Sequence, residues 1–90
     1  MREGPIQKNV VAYARKKGFW ARKFVSQHRR SAPDFIFGWD RQIWFIEFKA
    51  TGEQPTELQA KEHKEMRDVG LTVYVVDDID TGRAIIDSYA

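Results

Sequence analysis

SAPDFIFGWDRQIWFIEFK, residues Ser31 to Lys49, reads as two strands joined by a short turn, and the rest of the chain is organised around it. Asp34-Phe35-Ile36-Phe37 and Ile43-Trp44-Phe45-Ile46-Glu47-Phe48-Lys49 are rich in aromatic and β-branched residues, the types that favour a pleated, covered surface. Gly38-Trp39-Asp40-Arg41 carries the turn signals between them. The second run is apolar on both faces, as a central strand covered on both sides requires. Glu47 and Lys49 at its end break that pattern. Side chains alternate along a strand, so these two project from one face, about 6.6–6.8 Å apart. If Asp40-Arg41 is a two-residue turn, or residues 39–42 a four-residue loop, positions summing to 81 face each other. Asp34 then lies across from Glu47, with Cβ atoms ~4.5–5.5 Å apart. A slip of one residue puts Phe45 there instead.

Two carboxylates that close, at the edge of an apolar sheet, repel each other and resist ionising unless a cation joins them. A hard divalent ion with oxygen ligands, Mg²⁺ with Mn²⁺ as substitute, resolves the conflict. Lys49 would then stand beside the ion, able to orient a water or neutralise developing negative charge. Those are the parts of metal-assisted hydrolysis of a phosphate ester. The triplet alone says little, because an acidic-x-Lys sequence arises by chance about once in every one or two chains of this length. The weight rests on the combination of Pro33-Asp34 opening one strand, Glu47-x-Lys49 closing its neighbour, and the register that joins them.

Working outward, Pro5 fits the first turn of a helix in which Ile6, Val10, Tyr13, Ala14 and Lys17 share a face, with Gly18 as its C-terminal stop. Phe19 to Ser26 reads as a first strand, with Phe19, Trp20, Phe24 and Val25 as core and its imperfect alternation pointing to an edge position. Thr56 opens a second helix to about Val69, with Leu58, Met66 and Val69 as its apolar face and His63 among solvated charges. Thr56-x-x-Gln59 has capping-box spacing, which competes with any other role for Gln59. Leu71 to Val76 is a fourth strand, and Asp77, Asp78 or Asp80 starts a helix through Ile86. The expected fold class is therefore α/β, a small mixed-sheet sandwich in the order α-β-β-β-α-β-α, with residues 1–90 as one domain. Cysteine is absent, which excludes disulfides and thiolate zinc sites and suits an intracellular protein. No apolar run approaches a membrane span, and no signal-peptide pattern opens the chain.

Pro33-Asp34, Glu47-Phe48-Lys49 and Gln59 together resemble the PD-(D/E)XK nuclease pattern, of the restriction-endonuclease-like fold. More narrowly, the chain is similar to the VRR-NUC (virus-type replication-repair nuclease) domain. Glu3-Gly4-Pro5-Ile6-Gln7 matches that domain's Glu-x-x-Ile-Gln start, Ser31-Ala32-Pro33-Asp34 its small-residue turn, and Thr56-Glu57-Leu58-Gln59 its helix start. The family often has Gly where Ser31 stands. The resemblance implies a divalent-metal endonuclease with catalytic Asp34, Glu47, Lys49 and Gln59. It implies Asp34, Glu47, the Phe48 backbone carbonyl and Glu3 as metal ligands. It further implies cutting of branched DNA such as flaps or four-way (Holliday) junctions in replication, recombination or repair, by a homodimer, in a bacterial or phage-infected cell. The rival readings are a non-catalytic DNA-binding module on the same fold and a sequence-specific restriction-type nuclease.

The formal charge of +2 hides an asymmetry. Residues 1–33 hold nine Lys/Arg against Glu3 alone, a balance of +8, while the remainder holds six basic and twelve acidic residues, a balance of −6. A basic third on a nearly neutral domain is the footprint of a polyanion-binding face. Arg22, Lys23, Arg29 and Arg30 frame Asp34 and are the expected nucleic-acid contacts. Replacing Arg29 and Arg30 together by alanine should weaken binding to DNA of every shape. It should flatten the plot of log affinity against log salt by about one unit of slope per arginine. An unchanged slope in a filter-binding or anisotropy titration would assign these arginines elsewhere.

Overall fold

The computed structural model describes residues 1–25 and 31–90. Its elements run α1 (Glu3–Lys16), β1 (Trp20–Lys23), β2 (Phe35–Trp39), β3 (Gln42–Phe48), α2 (Glu57–Asp68), β4 (Val73–Val76) and α3 (Ile79–Tyr89). That is the order read from the sequence. The strands form one mixed sheet in the spatial order β1-β2-β3-β4. β1, β2 and β3 pair antiparallel, and β4 pairs parallel to β3 after the α2 crossover.

The β2–β3 turn is the two-residue kind. Asp40 and Arg41 have φ of 48° and 65°, the pair of left-handed residues that a type I′ hairpin turn demands. Among the described residues no other non-glycine is recorded with positive φ. The ladder from Trp39–Gln42 to Phe35–Ile46 follows from the turn, and Asp34, just before β2, is the residue that this register would set across from Glu47.

Alternation then sorts the sheet into two unequal faces. Ala21, Phe35, Phe37, Trp44, Ile46 and Phe48 point to the face covered by α1 and α3, where they meet Ile6, Val10, Val11, Ala14 and Ile86. Trp44 is fully buried there, stacked on Tyr89 at 3.6 Å between ring centroids and on Phe37 at 5.7 Å. On the opposite face the described residues form a small cluster, Phe45 and Val73 with Ile36 against Met66 of α2. α2 reaches one end of that face, leaving Ile43 63% exposed.

Two expected cores are revised. Trp20, Phe24 and Val25 are exposed, whereas Phe19 and Ala21 are buried. β1 is a short edge strand that ends at Lys23, with Trp20 on the face away from α1 and with Phe24 and Val25 beyond its end. On α2, Leu58 and Val69 are 72% and 78% exposed, and the buried residues are His63 and Met66. The inward stripe runs through Gln59, Glu62, His63 and Met66, spaced i, i+3, i+4 and i+7, and Leu58 and Val69 fall outside it. Asp78 caps α3, its two oxygens accepting from the Thr81 N–H at 2.6 Å and the Thr81 hydroxyl at 2.7 Å. Asp77 accepts the Gly52 N–H at 3.0 Å. These acids have structural partners and need no ion.

α1 and α3 touch closely at Gly82, where a Cβ would stand 2.5 Å from Val10 Cγ2 and 3.2 Å from Val76 Cγ1. Alanine normally favours a helix over glycine by about 1 kcal/mol. Here the neighbours are stiff, buried β-branched side chains, and overpacking of this kind costs about 1–3 kcal/mol. Gly82→Ala should therefore lower the melting temperature by several degrees rather than raise it, a change readable by calorimetry.

Candidate metal centre

β3 carries its apolar run until Ile46 and then places Glu47, only 2% exposed, on the α2 side of the sheet. Asp34 arrives opposite it from β2. The Asp34 carboxylate is held in place, because Oδ2 accepts the Phe48 N–H at 2.8 Å. In a strand the N–H and C=O of one residue point the same way, so the Phe48 carbonyl is directed toward the Asp34 side as well. Lys49 bonds the other way, its N–H donating to the Val76 carbonyl at 2.8 Å. Its side chain shares the face of Glu47 and is 8% exposed.

Glu3 comes from the first turn of α1. The Thr51 N–H, just past β3, donates to the Met1 carbonyl at 3.0 Å and ties the start of α1 to that end of the sheet. As a result one oxygen each from Glu3, Asp34 and Glu47 can be chosen so that all lie within 4.8 Å of one another. Glu3 opens the helix in spite of Gly4-Pro5, since proline is tolerated in a first turn that lacks N–H partners.

The electrostatics follow from burial. Glu47 is pushed up to about 8, first by desolvation and then by the neighbouring Asp34 charge, with Lys49 pulling the other way. Glu3 is also raised, again by burial first and Asp34 second. Glu47 Oε1 is buried and has no hydrogen-bond partner among the described residues. Three oxygen donors, mutually repelled and one of them orphaned, fit a hard divalent cation well.

The remaining candidates divide. Gln59 is engaged in its capping box: its N–H donates to Thr56 Oγ1 at 3.2 Å and its Oε1 accepts the Thr56 N–H at 3.0 Å. Arg22 and Lys23 are both exposed and point to opposite faces of β1. Arg22 lies over the Trp20 ring at 5.2 Å and donates to the Ala21 carbonyl at 2.9 Å. Lys23 is close enough to Glu3 to counter the rise of its pKa. Arg29 and Arg30 lie outside the described residues. His63, expected among solvated charges, is instead buried. It is 1% exposed, with Nε2 3.7 Å from Glu47 Oε1. Its pKa is lowered, by burial first and then by the Arg67 and Lys49 charges, so the imidazole is neutral at neutral pH.

No family model matches the chain. The chain is 42% identical over 81 residues to "Putative nuclease p44" of Acyrthosiphon pisum secondary endosymbiont phage 1, a match covering 89% of this chain and 87% of that protein. It is also similar to a solved structure titled "VRR_NUC domain", with a TM-score of 0.86 and 31% identity over 98% of this chain and 97% of the other.

The elevated Glu47 predicts an unusual pH response. Its folded pKa of about 8 lies above the ordinary 4.5, so the folded state binds more protons between those values and stability falls as pH rises through that window. His63, lowered from 6.5, acts in the opposite sense only on the acid side of 6.5. With EDTA present, the melting temperature should drop from about pH 6.5 to about pH 8 in the unsubstituted protein. Glu47→Gln should flatten that drop, and divalent ions should raise the melting temperature of the unsubstituted protein alone. A pH profile unaffected by the substitution would show that Glu47 does not carry the effect.

Proposed function

Because the chain belongs to the VRR-NUC family of nucleases, we propose that it is a Mg²⁺-dependent DNA endonuclease that hydrolyses phosphodiester bonds at branched DNA. The observation that carries this reading is the convergence of Glu3, Asp34 and Glu47 beside Lys49 at one end of the sheet. Asp34, Glu47, Glu3 and the Phe48 carbonyl are the groups that would hold the ion. When bound, a divalent ion supplies positive charge against a phosphodiester oxygen and lowers the pKa of water.

The protein's own groups do the rest. Lys49 lies on the Glu47 face and is shielded from bulk water, so its ammonium is placed to hold the attacking water and offset the charge that develops on the phosphate. Asp34 is fixed by the Phe48 N–H and cannot turn away from Glu47 without losing a charge-assisted hydrogen bond. Gln59 uses Oε1 in its cap, which leaves the amide nitrogen as the donor toward phosphate or Lys49. Hydrolysis of this type leaves a 5′-phosphate and a 3′-hydroxyl. The exposed Arg22 and Lys23, with Arg29 and Arg30, are the proposed contacts to the DNA backbone. Flaps or four-way junctions met in replication, recombination or repair inside the cell are the proposed substrates. A two-fold homodimer is the proposed working form, since it would set two such sites on a two-fold junction.

Cleavage of labelled junctions, flaps, duplexes and single strands, each in Mg²⁺ and in EDTA, tests the whole reading. Cutting in Mg²⁺ and binding alone in EDTA are expected, with branched substrates preferred. Binding of DNA with no cutting in either condition would leave a non-catalytic DNA-binding module. Lys49→Met should slow cleavage by about 10²–10³-fold at saturating DNA and metal, the scale of losing one preorganised electrostatic group. Metal affinity should change little. A folded, metal-binding Lys49→Met protein that cuts at the unsubstituted rate would end this mechanism.

A further inference from the structure

We propose that His63 is a positioning residue for Glu47: its Nε2–H donates to Glu47 Oε1 when a cation is held, leaving Oε2 to the ion. The inference rests on the reading of Glu3, Asp34 and Glu47 as a metal site. Nε2 and Oε1 stand 3.7 Å apart, beyond a hydrogen bond but within a small side-chain rotation of one. Both atoms are buried, and neither has a hydrogen-bond partner among the described residues. Leaving a buried polar atom unpaired is costly, so a pair left open at this distance is unexplained by packing alone.

α2 is anchored so that His63 has nowhere else to go. The Thr56–Gln59 box holds the start of the helix. Near its end, Arg67 Nη2 donates to the Val73 carbonyl of β4 at 2.6 Å. His63 lies between these anchors, one turn from Met66 and its small apolar cluster with Phe45 and Val73. A leucine or methionine would satisfy that packing without a polar atom. What the imidazole adds is a directed donor behind Glu47. A carboxylate bound to an ion through one oxygen is free to swing unless the other oxygen is held, and such outer partners typically carry about 10–100-fold in metal affinity.

The test uses Mn²⁺ as probe, its affinity read by electron paramagnetic resonance or calorimetry on the unsubstituted protein, Glu47→Gln, His63→Phe and His63→Gln. Each protein's melting temperature is taken in EDTA. His63→Phe should bind Mn²⁺ about 10–100-fold more weakly, and His63→Gln, whose amide nitrogen reaches a similar position, should recover most of the loss. Equal affinity in His63→Phe and the unsubstituted protein overturns the role. So does an equal loss in both folded His63 variants. Should His63→Phe fail to fold, nitrogen-15 spectra of the unsubstituted protein decide. Mg²⁺ should bring a downfield, slowly exchanging His63 Nε2–H that Glu47→Gln lacks, and its absence rejects the role. Failure of the unsubstituted protein to bind Mn²⁺ is a distinct result that removes the metal reading and this role with it.

Discussion

Two left-handed residues at one turn set the parity of the sheet, and the site depends on that parity. With Asp40 and Arg41 as a type I′ pair, each residue of β2 faces the β3 residue whose number completes 81. Phe35 and Phe37 are thereby committed to the α1/α3 face together with Trp44, Ile46 and Phe48. Asp34, Glu47 and Lys49 are committed to the other face. A slip of one residue would bury the acids among the aromatic rings and expose the rings to water. The large aromatic core therefore holds the register, and the register keeps the two carboxylates together.

The cost of that arrangement is electrostatic. Glu47 sits on a central strand, nearly without water, opposite a second acid and near a third. The fold offsets only part of this. A backbone N–H goes to Asp34, the Lys49 charge opposes the rise at Glu3 and Glu47, and nothing among the described residues bonds Glu47 Oε1. A domain selected for stability alone would place an aliphatic residue there. Local violations of the packing rules concentrate where function requires them, and here they lie at one end of the sheet.

What could be read from the chain and what could not have the same cause. The hairpin was legible because its turn, its alternation and its apolar runs all agree on one arrangement. The helix cap at Thr56 was legible for the same reason, and the start of α3 was narrowed to Asp77, Asp78 or Asp80, of which Asp78 caps. His63 was missed because its neighbours Glu62, Lys64 and Glu65 make the segment look solvated. Its i+4 spacing from Gln59 and its position one turn before Met66 were the available signal. Trp20, Phe24 and Val25 were misread as core because composition says neither which face of an edge strand lacks a covering helix nor that β1 ends at Lys23. Gln59 was ambiguous in the sequence, and in the structure its carbonyl oxygen serves the cap.

The carboxylate cluster draws on segments far apart in the chain, and one backbone hydrogen bond, Thr51 N–H to the Met1 carbonyl, brings the first of them to the others. This imposes an order on biosynthesis. Glu3 leaves the ribosome early but has nothing to meet until the hairpin and the loop at Thr51 have followed it out. A nascent or truncated chain ending before that loop would lack the contact that brings Glu3 to Asp34 and Glu47. The same latch lies at a helix start, where unravelling is cheapest. Detaching one turn of α1 would thus disarm the centre while the sheet and its aromatic core stayed intact.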